Sequence, residues 1–356
     1  MKGLGGGGGE GERKANAVYG ELKIPIVSTL EGSVGGRWDD YTDFGDTVNS
    51  IAALQYRIGK EWFFRGNYGT GFKAPSLRDV HDSSATYFTS ATDYKQCATA
   101  TAAGNEALKN KYCGTAASGS IIQGGNPDLD PELSTNWGLF VGFEPVEGYG
   151  LSVEYFNSAI EDQIGSVTAD DLTKLEANGK PFPTGTNVIR DPITGDIDSY
   201  VSPTTNLGST KMDGIDTVGY AKQTFSFGTL SFRTNYNYLL RYLYNNLPGE
   251  AFESGLEKSG PRWKWNNTLG YSAGIHSVSI MSRSSGKIYK GVESYGMLGS
   301  YTRYELNYGV DIGDFASINV GGDNIFNQMS PPDDSDVITH GGGVTPTYYT
   351  KIDFRI

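Results

Sequence analysis

Between Trp62 and Leu77 the chain reads WFFRGNYGTGFKAPSL, with Trp62, Phe64 and Tyr68 on one side and Arg65 and Asn67 on the other. A period of two is that of a β-strand with one apolar and one polar face. The pattern breaks at Gly71 and at Ala74-Pro75, since Pro75 has no N–H to donate to a ladder. The same rhythm recurs to the C-terminus and predicts about thirteen strands of roughly ten residues each. The first three cover residues 16–26, 30–39 and 47–58, and the fourth is the stretch above. The fifth covers 133–143, the sixth is centred on Leu151, Val153 and Tyr155, and the seventh covers 211–225. The eighth alternates Leu230, Phe232, Thr234, Tyr236 and Tyr238 against Ser231, Arg233, Asn235 and Asn237. The ninth carries Trp263, Trp265, Leu269 and Tyr271, and the tenth Val278 and Ile280. The eleventh alternates Tyr304, Leu306, Tyr308 and Val310 against Arg303, Glu305 and Asn307. The last two cover 316–326 and 347–356.

The links between strands alternate between tight turns, such as Val27-Ser28-Thr29, Gly59-Lys60 and Ser226-Phe227-Gly228, and long polar loops. Strands near ten residues exceed the usual five or six of soluble sheets. Short turns at one end, long loops at the other and aromatic residues near strand ends are the layout of an antiparallel up-and-down transmembrane β-barrel. A soluble β-propeller or sandwich has the same alternation but not this combination.

Composition narrows the function classes. Of 356 residues, 49 are Gly, 23 Tyr and 16 Phe, and only 20% are charged. No apolar run is long enough for a transmembrane helix, and the mean hydropathy of −0.39 suits a barrel whose strands turn half their side chains to water. A net charge of −12 argues against a nucleic-acid partner. Residues 1–15 form a Gly-rich leader or linker: MKGLGGGGGEGERK has no apolar core and is not a signal peptide. An exported barrel needs such a signal, so the expectation is a partial or altered start.

Candidate chemistry is sparse. Cys97 and Cys113 lie in the longest loop with no His between them, a poor metal spacing, and are expected to form a structural disulfide. His81, His276 and His340 are scattered, so no catalytic constellation, metal site or cofactor site is expected. Asp333, Asp334 and Asp336, like Asp43 and Asp46, read as solvated loop acids. Residues 168–175, TADDLTKL, predict a short helix capped by Thr168, either a lid over a ligand or a packing element. Tyr87, Phe88 and Tyr94 are equally open, as rings for stacking on a ligand or for packing the loop on itself.

Several motifs resemble those of the TonB-dependent receptors of Gram-negative outer membranes. RGNYGTGFKAPSL, with Arg65, Gly71, Phe72 and Pro75, is similar to the family's strand-to-loop motif. NPDLDPE, with Asn126, Pro127, Pro131 and Glu132, is similar to the element that opens the next strand. Gly214 in DGID, and Asn324 and Phe326 in DNIFN, match two further family elements, while the closing YYTKIDFRI departs from the family in ending on Ile356 rather than an aromatic residue. The resemblance implies the last thirteen or so of about twenty-two barrel strands over residues 16–356, without the plug and the TonB-contacting segment, hence an incomplete barrel. It also implies an outer-membrane location, contact with lipid, dependence of the intact protein on the TonB complex, and uptake of a scarce nutrient rather than enzymatic activity. The expected substrate is an iron–siderophore complex, with cobalamin, an oligosaccharide or a passive porin-like role as alternatives.

Overall fold

The computed structural model describes residues 8–113, 117–290, 296–329 and 345–354. Its largest element is one antiparallel sheet of thirteen long strands. These are β1 (Ala15–Val27), β2 (Leu30–Tyr41), β3 (Gly45–Ile58), β4 (Trp62–Lys73), β5 (Glu132–Val146), β6 (Tyr149–Glu161), β7 (Ser209–Phe225), β8 (Gly228–Asn245), β9 (Trp263–Ala273), β10 (His276–Ser285), β11 (Tyr301–Ile312), β12 (Ala316–Asp323) and β13 (Thr347–Phe354). Sequence neighbours are sheet neighbours throughout, and among the described residues β1 and β13 do not pair. The sheet is therefore open, and β1 is exposed along its whole length on both faces.

Register carries the two faces across the sheet. Leu230, Tyr271, Val278, Tyr308 and Val320 stand opposite one another from β8 to β12 on the apolar face. Ser231, Gly270, Ser279, Asn307 and Gly321 form the adjoining row on the polar face. The apolar residues are exposed, Leu306 at 40% and Phe232 at 42%, because nothing protein-like covers them. A water-soluble sheet would bury that face, and a transmembrane barrel leaves it to lipid.

One end of the sheet holds the tight turns at 28–29, 59–61, 147–148, 226–227, 274–275 and 313–315. Gly148 and Gly274 take left-handed φ values of 89° and 57° there, which a two-residue hairpin needs. The other end holds the long connections, except that β2 and β3 are joined by only residues 42–44. β12 stops three residues earlier than its pattern predicts, because Asn324 has a φ of 51° and turns the chain out of the ladder. Ile356, His340, Asp333, Asp334 and Asp336 lie outside the described residues.

The two longest connections fold together into a cap, which the strand pattern does not predict. The first contributes α1 (Leu77–His81), strand Ala85–Ala91, α2 (Tyr94–Ala102), α3 (Glu106–Tyr112) and strand Ala117–Gln123. The second contributes α4 (Ala169–Ala177) and the hairpin Asn187–Arg190 and Ile197–Val201. A parallel pairing of Ile197–Val201 with Ala117–Gln123 joins the loops into one four-stranded sheet. Ile121, Val167, Leu172, Leu175 and Tyr200 form its core, with Leu247 from the β8–β9 connection packed in. Thr168 caps α4 by accepting from the Asp171 amide, and Leu172 and Leu175 are buried, so this helix holds the cap together. Cys97 in α2 and Cys113 after α3 are joined by a disulfide.

Two outcomes follow. Arginine at Phe232, on the apolar face, should destabilise the barrel by about 2–4 kcal/mol if near the bilayer midplane, while Asn235→Arg on the polar face should stay within about 0.5 kcal/mol. Urea-dependent folding into liposomes measures both; equal costs would refute the assignment of faces, and a larger cost at Asn235 would invert it. Peptide mapping without reductant should recover Cys97 linked to Cys113. The Cys97→Ser/Cys113→Ser double variant should lose about 3 kcal/mol of local stability in the chain-entropy view, read as proteolysis beginning between α2 and α3.

Candidate functional site

The polar face and the cap above it are where the chain concentrates its chemistry. On the polar face, charges are paired across strands: Arg283 with Glu305 at 2.9 Å, Arg303 with Asp323 at 3.4 Å, and Lys23 with Glu31 at 3.1 Å. Asn237 donates to Asp216, and Tyr349 to Asn307. Arg65 lies 3.8 Å from Glu154, with its guanidinium carbon 5.2 Å from the centre of the Phe140 ring. Towards the short-turn end this face opens into a recess of about 490 Å³ floored by small polar side chains, among them Ser231, Ser279 and Asn319, with Tyr349 and Lys351 at its side.

A second, smaller cleft of about 320 Å³ lies in the cap, between α1 and the cap sheet. Arg78, Asp82, Tyr87, Gln123, Ser166 and Thr204 line it. Arg78 and Asp82 pair at 3.0 Å along α1, and Asp82 holds the Arg78 guanidinium above its ordinary pKa. His81, on the same helix, has a buried Nε2 with no partner among the described residues. Of the three loop aromatics, Tyr87 packs on the cap core and Tyr94 donates to Asp170, while Phe88 is 91% exposed. His276 directly precedes Ser277 of the first recess and contacts Tyr308 at 2.7 Å.

The motif residues sit at the joints between sheet and loops. Gly71 faces Ser134 so closely that a Cβ there would stand 2.9 Å from its hydroxyl, and Phe72 packs against Tyr41 and Phe44. The Pro75 carbonyl accepts from Arg13, whose guanidinium also grips Asp43 at 2.9 Å. Asn126 folds back onto the Asp128 amide, and the 126–131 turn containing Pro127 and Pro131 is tied to the second loop by Asn206, which bonds Asp130 both ways. Glu132 accepts from Lys73 at 2.8 Å and from the Ile164 amide at 3.1 Å. Gly214 lies beside a β-bulge in the β7–β8 pairing, where any Cβ would meet the Tyr238 carbonyl at 2.6 Å. Asn324 is fully buried and clamps Gln328 through both amide atoms, while Phe326 rests edge-on against Tyr304. These residues shape the mouth, and the structure gathers them into no single pocket. Among the described residues no group of His, Cys, Asp and Glu is arranged to hold a metal ion.

One constellation of the cap leaves no local trace in the sequence. Arg190 bonds Asp93 at 2.8 and 2.9 Å, Glu176 at 2.6 Å and the Gly195 carbonyl at 2.8 Å. Asp93 is 1% exposed and also caps α2. Burial works against the charge of Glu176, but hydrogen bonds from Arg190 and Lys95 outweigh it and hold the carboxyl below its ordinary pKa. The same contest, won by Lys174, lowers Asp170. Hydrogen bonds from Lys111 and Tyr112 lower Asp196. Burial pushes the Tyr200 phenol up to about 12, and its hydroxyl has no partner among the described residues.

Carboxylates held low in the folded cap stabilise it at pH above their unfolded values, and that contribution disappears as pH falls through the folded ones. The cap should therefore loosen below about pH 4 while the barrel ladder persists, seen as hydrogen exchange in α2 to α4 at pH 3 against pH 6. Arg190→Ala should cost about 3–5 kcal/mol of cap stability by leaving Asp93 buried without its cation. Unchanged protection in that variant would show the cluster to be unimportant.

Three solved structures place this arrangement among known folds. The ferric enterobactin receptor PfeA of Pseudomonas aeruginosa, as its R480A_Q482A mutant, superposes with a TM-score of 0.66 at 15% identity, covering 96% of this chain and 44% of the receptor. The siderophore receptor PirA of Acinetobacter baumannii gives 0.66 at 16% identity, covering 96% and 45%. The copper transporter OprC gives 0.56 at 10% identity, covering 96% and 48%. The chain thus spans less than half the length of the structures it resembles. A search of curated protein sequences finds no significant match. The family model described as "TonB dependent receptor-like, beta-barrel" matches residues 5–325, and the chain belongs to that family.

Proposed function

We propose that this protein acts in the outer membrane as a TonB-driven receptor for a scarce nutrient, with a ferric siderophore as the substrate class. The observation that carries the reading is the pairing of a polar, charge-lined inner face with a folded cap across the long-loop end of the sheet. A passive pore needs only the first. A receptor that captures a dilute, bulky ligand needs a structured outer surface as well, and the cap's own core, disulfide and ion cluster supply one. One of the similar structures is a ferric enterobactin receptor and another a siderophore receptor, which supports the substrate class, and a third is a copper transporter. In this reading the tight turns face the periplasm, where the TonB complex works, and the apolar face meets lipid.

The test is uptake of labelled iron into iron-starved cells that carry or lack the gene. Ferric-siderophore uptake should depend on the gene and stop when a protonophore collapses the inner-membrane potential. Gene-dependent flux of small solutes that survives the protonophore would favour a passive pore. Energy-dependent uptake of cobalamin, an oligosaccharide or copper in place of ferric complexes would keep the receptor and replace its substrate.

A further inference from the structure

Among the described residues, charged side chains on the apolar face are few, and three cations stand together at its long-loop end. Lys211 on β7 and Arg241 on β8 share the side of Ile215 and Tyr238, and Arg262 directly precedes Trp263 of β9. They sit just beyond an aromatic band in which Tyr155, Tyr238 and Trp263 are in register or one pair removed. Such a band marks the level where hydrocarbon gives way to headgroups.

The three differ in what holds them. Arg241 bonds Asp213 at 2.5 Å, and the Tyr155 hydroxyl donates to the other Asp213 oxygen at 3.1 Å, so that pair is internally neutral. Lys211 and Arg262 have no carboxylate partner among the described residues. The Lys211 ammonium lies 4.5 Å from the centre of the Phe252 ring. The Arg262 guanidinium carbon lies 5.2 Å from the centre of the Tyr238 ring, and its Nε donates to the Leu239 carbonyl at 3.2 Å. Aromatic faces and a carbonyl orient these cations without cancelling them. Glu253 sits nearby on the short strand beside β8 but pairs with neither. In a chain of net charge −12, two oriented, uncompensated cations at headgroup depth call for an anion. With strands about 4.8 Å apart and about 3.4 Å per residue, successive members of this diagonal row are roughly 8 Å apart at the backbone, close enough for long side chains to share one polyanionic headgroup.

We propose that Lys211 and Arg262, flanking the Arg241–Asp213 pair, form a binding site for a phosphorylated lipid headgroup, with its acyl chains laid on the apolar face below. The proposal rests on the membrane reading above. It takes the lipid rather than free phosphate as occupant because the cations border an exposed apolar surface that only a lipid covers, Trp265 being 44% and Phe232 42% exposed.

The test is native mass spectrometry of the protein extracted in detergent from outer membranes, titrated with diphosphoryl lipid A, phosphatidylethanolamine or inorganic phosphate. Diphosphoryl lipid A should be retained in preference to phosphatidylethanolamine. The Lys211→Gln/Arg262→Gln double variant should retain it on the order of tenfold less, and Lys211→Arg/Arg262→Lys should recover most of the loss. Arg233→Gln, on the polar face nearer the short-turn end of β8, should change nothing. Equal retention by the Gln double variant, an equal loss in Arg233→Gln, or displacement of the lipid by millimolar phosphate alone would each overturn the site. Absence of the wild-type protein from the outer-membrane fraction would instead overturn the membrane reading itself, so the two failures are distinguishable.

Discussion

A backbone amide that crosses hydrocarbon has no water to turn to, so its hydrogen bond has to come from another strand. That constraint fixes most of what is seen here. It demands long, uninterrupted ladders, and β7 and β8 keep theirs through a bulge because Gly214 lets the Tyr238 carbonyl approach where a Cβ would collide. It forces a period of two, because each strand has lipid on one face and water on the other. It also accounts for apolar residues that are exposed rather than buried: in the proposed membrane setting the hydrophobic partner of Phe232 or Leu306 is the bilayer. On the polar face the register sets Arg283 opposite Arg303, and each is matched diagonally by a carboxylate on the next strand, Arg283 by Glu305 and Arg303 by Asp323.

Beyond the long-loop end the constraint lapses, and the chain reverts to the rules of water-soluble domains. The cap buries Tyr200, Leu172 and Val167 around a small core and spends its charged residues on local order. Its two loops are nonetheless not autonomous. Glu132 begins β5 and accepts from Ile164 of the second loop, and Asn206 of that loop closes on Asp130 just before β5. The joints between ladder and cap therefore carry the motif residues, where a strand must end at a defined place and in a defined direction.

The ladder was legible in the sequence because each strand carries its own evidence: Leu230 to Tyr238 alternate regardless of what lies elsewhere. The cap was not, because its pairings are non-local. Nothing near Arg190 announces Asp93, 97 residues earlier, and Ile197–Val201 reads as a strand only once Ala117–Gln123 lies beside it. The capped helix at α4 was visible since Thr168 and Asp171 are three residues apart, but the choice between lid and packing element was not, since its core partners include Ala91 and Ile121 of the other loop. The Asn324 turn failed for a different reason. Ile325 and Phe326 continue the apolar character of β12, and only the left-handed backbone of Asn324 ends it. Asparagine tolerates that conformation better than most residues, but pattern alone does not require it.

The same constraint that builds the sheet bears on its two edges. β1 and β13 run in the same direction, since the twelve antiparallel steps between thirteen strands return the chain to its first orientation. Their unpaired N–H and C=O groups cannot remain bare in lipid. Joining the edges directly would set two parallel strands side by side. A second copy in the same membrane orientation brings β13 against a β1 that is also parallel, and turning that copy over to correct the sense would place its cap on the wrong side of the bilayer. Only an odd number of intervening strands lets every neighbour be antiparallel, and it makes the total even, as in bacterial single-chain barrels. Whatever covers these edges must therefore enter at β13 and leave at β1 after an odd number of crossings, with its apolar residues continuing the rows begun by Val320 and Val18.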